Sequence, residues 1–512
     1  MEKHWCHPVF ILHSMGRYLY LLLIPLVRGF LSSLQGGITA WLSGAWFDIL
    51  VVLFIVAIGV LVWHSVIYSY DASGVTIHSG LFIRRQTFLP ASRLSTLSVT
   101  RPYWLKPVGA VVLRADTLAG GKRTADLSLI LRRADAQQMF SLLRQGAPSS
   151  TFTIREYVPR QLYVTALSAI LSNSFAGVVF MATLISTSGQ ILGKEIQDRI
   201  VGTFEQVAKD FAFGIPPFAA AVTYVILGGW LVAFILNLIR HKNFYVRRFN
   251  NNLYIHSGIF TNRSYSLDIK SVNYLEIRQS VLTKILGLHT AFLHCAGFGK
   301  DKTDVSAVIP AVTRREFRRT QEMLLPEFTI SPRQAKPNLG SIFKFIIDPF
   351  WPCLLLPLAT WWLCRLYPDW DSLIGFIGLM VSLPAYWWMI LRIADFSTSG
   401  IGFDGSCYTL RYSTGFYLHT VVIPKDKIVS LRVRQSILQR PDDRCDVIIH
   451  TRAEGWQRHH CKNLLRQEVV ELFGTVDPYC LQFVKTGFLS QFSWFRRFCN
   501  FFRKEKKSVD KL

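Results

Sequence analysis

The chain has 512 residues, half of them hydrophobic, and its formal net charge of +24 comes from 57 Lys and Arg residues against 33 Asp and Glu. A mean hydropathy of +0.28 is too high for an ordinary soluble protein, and the length allows three or four domains. The basic excess is spread evenly over three segments, which argues against a nucleic-acid-binding protein, because such a protein concentrates Lys and Arg on one surface.

Six apolar runs approach the length that a bilayer span requires, and they come in three pairs. The runs cover residues 18–38, 49–67, 162–186, 216–239, 350–367 and 373–393. One such run could be a buried core helix, but six in one chain indicate a membrane protein. The N-terminus lacks the basic region and small-residue cleavage site of a signal peptide, so we expect the first span to be retained.

Lys and Arg are distributed unequally between the loops. The turns at 39–48 and 366–372 carry none, whereas segments 68–161, 240–348 and 392–512 carry 13, 17 and 20. Because Lys and Arg accumulate in cytoplasmic loops, both termini and all three large segments are predicted to be cytoplasmic. Seven of the nine cysteines would then be reduced, and none belongs to a CxxC pair. The stretch His459-His460-Cys461 lacks a second ligand pair at zinc-site spacing, so no metal and no cofactor is predicted.

Each large segment presents the same order of short strands, glycine, basic residue, further strands and closing helix. IRQSVLTK at 277–284 returns as VRQSILQR at 433–440, and IHSGLF at 77–82 returns as IHSGIF at 255–260. The first strands are predicted at 75–77, 81–83 and 86–89, at 253–255, 259–261 and 264–269, and at 408–412, 416–417 and 420–423. The glycines are Gly80, Gly258 and Gly415, the basic residues are Arg93, Lys270 and Lys427, and the helices cover 134–143, 314–325 and 462–473.

The predicted fold class is therefore a polytopic α-helical membrane protein with six spans in three helical hairpins. Each hairpin precedes a cytoplasmic domain of six or seven short strands. Connections this short require mainly antiparallel sheets, which form a small barrel or sandwich closed by the C-terminal helix.

The chain resembles the bacterial pleckstrin-homology-like (PH-like) membrane proteins of the YdbT type. The resemblance rests on IHSGLFIRRQTFLPASRL (77–94), RPYWLKPVG (101–109), IHSGIFTNRSYSLDIKSV (255–272), RQSVLTKILG (278–287), GFYLHTVVIPKDKI (415–428) and RQSILQR (434–440). It implies PH-like cytoplasmic domains, a location in the bacterial plasma membrane and no catalysis. In the third copy, Pro441-Asp442-Asp443 replaces the Leu-Gly of the second, which leaves the conformation of that loop open.

These observations predict seven segments. They are an N-terminal segment with two spans (1–67), a first PH-like domain (68–147), two spans with an outer amphipathic helix at 190–213 (148–240), a second PH-like domain (241–330), two spans (331–394), a third PH-like domain (395–480) and a basic aromatic tail (481–512).

Candidate binding residues follow the repeat. Arg101, Arg278 and Arg434, with Lys106, Lys284 and Arg440 after them, could hold a phosphate or an acidic partner, because guanidinium groups pair bidentately with such anions. The alternative, which we favour, is a positive loop facing an anionic membrane, or an Arg that connects one strand to the next.

Two further features have membrane explanations. Arg28 lies inside the first predicted span, where an ionisable residue is a functional candidate, although packing or snorkelling is the simpler explanation. The C-terminal tail combines aromatic and basic residues, typical of a helix lying on an anionic membrane surface, although it could instead pack on the third domain. The tail residues are Phe492, Phe495, Arg496, Arg497, Phe498, Phe502, Arg503 and Lys504.

The preferred functional interpretation is a non-enzymatic, membrane-anchored scaffold that binds a cytoplasmic protein or lipid headgroups. No nucleophile elbow, phosphate loop or zinc-protease motif occurs. Expected partners are the lipid bilayer, with anionic lipid, and an unknown cytoplasmic protein; nucleic acid is not expected, and an oligomer is open. The alternatives are a transporter or lipid-handling protein and a sensor that relays an external signal.

Overall fold

The computed structural model describes residues 3–16, 45–81, 83–117, 125–144, 155–171, 217–295, 298, 307–436, 439–453 and 455–474. Several predictions lie outside these residues: the span at 18–38 with Arg28, the outer helix at 190–213, and the tail at 481–512 with all its aromatic and basic candidates. The span at 162–186 is described only as far as residue 171.

The chain forms two compact units, each assembled from three stretches of sequence. The first contains Met1–Val158, Lys242–Val272 and Cys295–Asp304; the second contains Pro159–His241, Asn273–His294 and Val305–Leu512. The predicted second PH-like domain, 241–330, therefore contributes strands to both units.

In its described residues the first unit contains two antiparallel sheets and three α-helices. The helices are α1 (Phe10–Met15), α2 (Ala45–Ser65) and α3 (Arg133–Arg144). One sheet has the order β1 (His4–Trp5), β2 (Ile67–Tyr70), β3 (Gly74–Ser79), β4 (Arg85–Pro90). The other consists of β5 (Leu94–Arg101), β6 (Ala110–Thr117), β7 (Leu127–Arg132), β8 (Arg155–Tyr157), β9 (Tyr245–Phe249), β10 (Asn252–Ser257) and β11 (Asn262–Asp268), in the order β7-β6-β5-β11-β10-β9-β8.

The core of the first unit lies where α3 closes the sheets. Tyr68, Leu97, Leu113 and Met139 are completely buried in one cluster. Met139 comes from the amphipathic helix α3, and the others come from three different strands, so apolar alternation along the strands and helical spacing in α3 direct side chains to one core.

The described part of the second unit contains seven α-helices and two antiparallel sheets. The helices are α4 (Gln161–Leu171), α5 (Pro217–His241), α6 (Val281–Ile285), α7 (Arg314–Leu324), α8 (Ile342–Leu366), α9 (Asp371–Thr398) and α10 (Arg466–Leu472). The larger sheet consists of β12 (Val272–Ser280), β13 (Leu288–Cys295), β14 (Ala307–Thr313), β15 (Gly400–Phe403), β16 (Cys407–Thr414) and β17 (Tyr417–Pro424), in the order β14-β13-β12-β17-β16-β15. The smaller sheet has the order β18 (Ile428–Arg434), β19 (Arg444–Ala453), β20 (Gly455–Leu465).

Three helical segments of the described chain are long and apolar enough to cross a membrane: Asp48–Ser65, Leu339–Leu366 and Leu373–Thr398. They correspond to the second, fifth and sixth predicted spans. A shorter apolar run, Ile226–His241, lies at the site of the fourth. Trp361 and Trp362 of α8 are each 58% exposed, as expected for a helix surrounded by lipid rather than by protein.

Arg392 connects α8 and α9 to the larger sheet. Its guanidinium donates to Asp395 at 3.1 Å, to Asp348 of α8 at 3.0 Å and to the Ser413 hydroxyl of β16 at 3.1 Å. The Asp395 side chain is 3% exposed, so its charge depends on this one guanidinium and on Ser413. The contact anchors the helical pair on the strand domain.

Some predicted elements need correction. The strands predicted at 81–83 and 259–261 are wrong, because Leu81, Ile83 and residues 259–261 lie in bends that connect β3 to β4 and β10 to β11. Gly80 and Gly258 have φ values of +110° and +99°, which turn the chain before another strand can begin. The helices predicted at 134–143 and 314–325 are confirmed, but the helix predicted at 462–473 begins only at Arg466, since β20 continues to Leu465.

In the loop left open in the third repeat, one backbone position keeps the conformation of its counterparts. Gly109 and Gly287 have φ values of +71° and +68°, and Asp443, at the same place in the third repeat, has a φ of +47°. Asp tolerates the left-handed region better than most side chains. Replacing glycine here changes the residue but not the turn.

The segment between α7 and α8, residues 325–341 and here called the connecting strap, is hydrogen-bonded to β15. The Ala335 and Ile401 backbones exchange two hydrogen bonds, of 3.0 and 2.8 Å, and the Gln334 amide pairs with both backbone groups of Phe403. A Cβ on Gly402 would lie 1.8 Å from the Pro332 carbonyl oxygen. Glycine is therefore required for the close approach of the strap.

Candidate functional site

A cavity of about 900 Å³ lies within the second unit, where β12, β17, α7, the connecting strap and the end of α9 meet. Its wall is basic. The charged and titratable side chains that line it are Lys284, His289, Arg314, Arg318, Glu322, Arg333, Arg411 and His419. Five are permanent cations and one is an acid, so the cavity has the electrostatic character of an anion-binding site.

Arg411 is the most constrained of these cations. It lies in β16 between the buried residues Leu410 and Tyr412, so its side chain extends from the opposite face of the strand into the cavity. One guanidinium nitrogen, Nη2, donates to the Ser331 carbonyl at 2.6 Å. The other, Nη1, is buried without a hydrogen-bond partner, and burial together with Arg333 lowers the pKa of Arg411 to about 10.

Lys284 approaches the same cavity from α6. This helix begins with a capping box, in which Ser280 and Thr283 bond each other's backbone amides, and the turn directs Lys284 towards Gln279, 3.4 Å away. Burial, followed by Arg314, Arg411 and Arg333, lowers the pKa of Lys284. Four cations therefore repel one another; Arg411 is partly buried, whereas Lys284, Arg314 and Arg333 are exposed.

The surrounding groups do not neutralise this charge. Arg333 donates to the carbonyls of Ser397 and Ser399 at 2.6 and 3.4 Å, which fixes its position while leaving its charge uncompensated. None of the five cations forms an ion pair in the part of the chain that the structure describes. The Ser331 hydroxyl is also buried without a partner. Two buried donors, Arg411 Nη1 and the Ser331 hydroxyl, thus remain without a hydrogen-bond partner beside a positive cavity.

In a second group of basic residues, next to the cavity, the side chains are hydrogen-bonded to an acid. The Glu276 carboxylate, buried in β12, accepts hydrogen bonds from His294 at 2.6 Å, from His419 at 2.5 Å and from Arg278 at 3.2 Å. Burial raises the pKa of Glu276, but the hydrogen bonds from the two histidines outweigh burial and hold it well below its usual range. Since His419 belongs to β17, this carboxylate joins two strands from successive repeats.

The six candidate binding residues proposed from the sequence lie in different surroundings. They are Arg101, Lys106, Arg278, Lys284, Arg434 and Arg440, and only Lys284 lines the cavity. Arg278 is held by Glu276 and lies over the Phe292 ring, 4.7 Å from its centroid. In the first unit, Arg101 donates to the Lys106 carbonyl at 3.2 Å, and Lys106 donates to the Ile259 carbonyl at 2.6 Å.

The remaining pair lies in the third repeat. Arg434 ends β18, and Arg440 stands in the turn before β19, where its carbonyl accepts from the Asp443 amide at 3.2 Å. The proposal that all six residues bind a phosphate or an acidic partner stays a prediction.

Sequence reasoning missed Arg314, Arg318, Arg333 and Arg411. The stretch RREFRRTQ at 314–321 was a signal, because four arginines in six residues exceed what a solvated helix face needs. Arg411 had a weaker signal: it interrupts the apolar strand YTLRY at a position flanked by core residues. Neither sequence signal shows that these arginines line the same cavity.

The strand sets and their closing helices agree with a comparison against family models. The family described as Bacterial PH domain matches residues 21–147 and 199–327, together half of the chain. The chain therefore belongs to this family of bacterial PH domains.

A relative narrows the class. The chain is 20% identical over 351 residues to the UPF0699 transmembrane protein YdbT of Bacillus subtilis (strain 168), and the matched region covers 63% of this chain and 68% of that protein. The present chain is thus a PH-domain-containing membrane protein of the YdbT type, as its sequence motifs predict. No solved structure matches the chain.

Proposed function

We propose that the protein is a non-enzymatic, membrane-anchored binding protein that uses the cationic cavity to hold the acidic group of a ligand at the cytoplasmic membrane surface. The observation that carries this proposal is the buried, unpartnered Nη1 of Arg411 among four other cations without an ion pair. A fold that only had to be stable would not gather these charges, because their mutual repulsion and the desolvation of Arg411 oppose folding.

The proposed topology has six spans in three hairpins, three PH-like domains on the cytoplasmic side and both termini inside. The three apolar helices and the excess of Lys and Arg in the large segments support it. The third PH-like domain rests on β15 to β20 and α10, which follow the strand order of the first repeat. A reporter fused after Leu325 should be active only in the cytoplasm.

The position of the cavity favours a lipid headgroup as the source of the anion. Thr398, the last residue of α9, lines the cavity, and Arg333 is bound to the carbonyls of Ser397 and Ser399. If α9 crosses the membrane, its cytoplasmic end and the cavity lie at the depth of the phosphate groups, where anionic lipid concentrates.

Binding of short-chain phosphatidylglycerol to the full-length protein in detergent tests the proposal, with short-chain phosphatidylcholine as the neutral lipid and inorganic phosphate as the soluble anion. We expect Arg411→Gln to weaken binding of phosphatidylglycerol about tenfold or more, because a hydrogen bond to a charged group contributes about 1.5–3 kcal/mol. Arg452→Gln, which removes an exposed arginine of β19 outside the cavity, should bind like the wild type.

The binding measurements distinguish a lipid ligand from a soluble anion. Binding of phosphatidylglycerol with loss in Arg411→Gln supports a lipid ligand, and binding of inorganic phosphate with the same loss supports a soluble anion. Equal binding by the wild type and Arg411→Gln would show that the cavity is not the site.

The transporter and sensor hypotheses depend on Arg28 and on the helix at 190–213, both outside the described residues. No described contact favours either hypothesis over a binding protein.

A further inference from the structure

The short helix α6 exposes three apolar side chains although it is part of a folded domain. Leu282, Ile285 and Leu286 are all exposed, and the exposed fraction of Ile285 reaches 76%. Val281 of the same helix, by contrast, is buried. A cluster of exposed apolar side chains on a folded domain marks a surface that contacts a protein or a membrane.

The turn between β16 and β17 enlarges this apolar surface. Tyr417, the first residue of β17, lies opposite Ser280, which caps α6. Tyr417 and its neighbour Phe416 are both exposed. The surface formed by Leu282, Ile285, Leu286, Phe416 and Tyr417 is here called the apolar tip.

Packing places the apolar tip beside α9. Val281 of α6, Leu391 of α9 and Leu418 of β17 belong to one buried cluster. The apolar span of α9 begins at Leu373, and about 20 helical residues cross the hydrocarbon core of a bilayer. If α9 crosses the membrane as proposed, Leu391 therefore lies where the helix leaves the hydrocarbon.

The direction of the strands shows which way the apolar tip extends. β15 follows the end of α9, and its first residue, Gly400, pairs with Arg411, which in turn pairs with Thr420 of β17. Leu418, two residues nearer the tip, packs on Leu391 of α9. This end of β17 therefore runs back along α9 towards the membrane, and the other end runs away from it.

α4, the described beginning of the third predicted span, also borders the apolar tip. Leu167 of α4 and Thr283 of α6 line the same small cavity. Leu167 belongs to the first two turns of α4, so α6 lies level with the start of this apolar helix. Two helices that the proposed topology assigns to the membrane thus lie beside α6.

Cations accompany the apolar tip. Lys284 of α6 and Arg314 and Arg315 at the start of α7 are exposed. Tyr163 of α4 is hydrogen-bonded to Glu316, which keeps this end of α7 beside α4. Apolar and aromatic side chains next to Lys and Arg are typical of a segment that enters an anionic membrane surface.

The corresponding loops of the other repeats differ in one informative way. Counted back from the turn glycine, Trp104 and Val108 of the first repeat correspond to Leu282 and Leu286, and both are exposed. In the third repeat Asp442 takes the place of Leu286 and forms an ion pair with Lys344 at 2.9 Å. The first two repeats therefore present apolar side chains where the third presents a charge that the fold neutralises.

We propose that the apolar tip inserts into the headgroup region of the membrane beside α9, with anionic lipid as its partner. At this depth lipid is the surrounding medium, so the tip is covered without a second protein. Insertion fixes the height of the strand domain above the bilayer. The proposal rests on α9 crossing the membrane, as the proposed function assumes, but it does not depend on a ligand in the cavity.

Site-specific photo-cross-linking tests the insertion in the full-length protein, reconstituted in nanodiscs of phosphatidylcholine and phosphatidylglycerol. A benzophenone amino acid replaces Ile285 in the tip, Leu383 within the span of α9, or the exposed Lys425, which follows the far end of β17. At about 3.4 Å per residue, that end is about 25 Å from the tip. Mass spectrometry identifies the lipid adducts.

We expect lipid adducts at positions 285 and 383. Position 425 should give about tenfold fewer, because the acyl chains are confined to the hydrocarbon core.

A pair of acidic substitutions tests whether apolar character drives the contact. Leu282→Asp with Leu286→Asp places on α6 the residue type that the third repeat has at Asp442. We expect the adduct at position 285 to fall about fivefold, because anionic headgroups repel a carboxylate and hydrocarbon disfavours it. The adduct at position 383 should stay unchanged. The matched Lys425→Asp should change neither adduct.

Four results would overturn the inference. Adducts at position 383 without adducts at 285 would show that α9 crosses the membrane while the tip stays outside the lipid. Adducts at neither position would remove the proposed topology together with the insertion. A cross-link from position 285 to a second copy would show that protein covers the tip. An undiminished adduct at 285 in the doubly acidic variant would mean that packing on α9, and not insertion, brings α6 near lipid.

Discussion

Glu276 of β12 and Arg411 of β16 lie in the same sheet, separated by β17, yet the charges around them are handled in opposite ways. Around Glu276 the fold supplies an acid for Arg278 and His419, and all of them are hydrogen-bonded. Around Arg411 it supplies the Ser331 carbonyl, and in the described residues no acid forms an ion pair with the guanidinium. The first arrangement stabilises the fold, whereas the second leaves a positive field that a ligand can neutralise. The number of basic residues therefore says less about function than whether the fold already neutralises them.

The largest effect should come from removing a cation on which a buried acid depends. Arg392→Met leaves Asp395 buried, with Ser413 as its only other hydrogen-bond donor in the described residues. We expect the free energy of unfolding to fall by about 3–5 kcal/mol, the cost of breaking a buried ion pair. Thermal and denaturant unfolding in detergent measure it, with exposed Arg452→Met as control. A loss no larger than the control's would mean that Arg392 does not anchor the helices.

Removing the acid from the neutralised group should have the next largest effect. Glu276→Gln loses the charge that holds His294, His419 and Arg278, and we expect a loss of about 1.5–3 kcal/mol, the range for hydrogen bonds to charged groups. The exposed Glu471→Gln should leave the unfolding midpoint unchanged. Faster hydrogen exchange in β12 and β17 would locate the effect at the junction, and exchange at the wild-type rate would contradict it.

The lowered pKa of Glu276 also predicts that its contribution to stability depends on pH. Because the pKa of folded Glu276 lies below its unfolded value of about 4.3, its contribution is complete above that pH and is lost as the pH falls through the folded pKa. The stability difference between the wild type and Glu276→Gln should therefore narrow below about pH 4.3. A difference that stays constant down to pH 3 would show that the charge of Glu276 does not stabilise the junction.

The smallest expected effect is a gain in stability rather than a loss. Lys284→Met removes a cation whose pKa is lowered by burial and by Arg314, Arg411 and Arg333, so at neutral pH its charged form opposes folding. Without ligand we expect a gain of up to about 1 kcal/mol, within the range of single surface charges. Exposed Lys425→Met should give no gain. A loss of stability in Lys284→Met would mean that the cavity cations are compensated after all.

The sequence predicts the elements better than their assembly. Apolar runs and the spacing of Lys and Arg identify α2, α8 and α9, and repeated motifs identify the strand sets. The pairing of β5 with β11 and of β12 with β17 is not visible, because a strand pattern specifies which residues are buried and not which strand lies beside them. The false strands at 81–83 and 259–261 arose because short apolar runs after a glycine fit a strand and a bend equally well.

The candidate site was only partly predictable for a related reason. Lys284 was found because it belongs to a repeated motif. Arg411 and Arg333 stand in different elements, and their roles depend on how the strap and β16 approach each other. Residues that act together across large sequence separations leave no local pattern.

The connecting strap also fixes part of the cavity wall. Ala335 and Gln334 attach it to β15, and Gly402 lets its backbone approach closely, while Ser331 and Arg333 of the same segment line the cavity. A wall fixed in this way loses little conformational entropy when it is occupied. If the cavity holds a headgroup as proposed, we expect its wall to keep its shape on binding instead of adapting to the ligand.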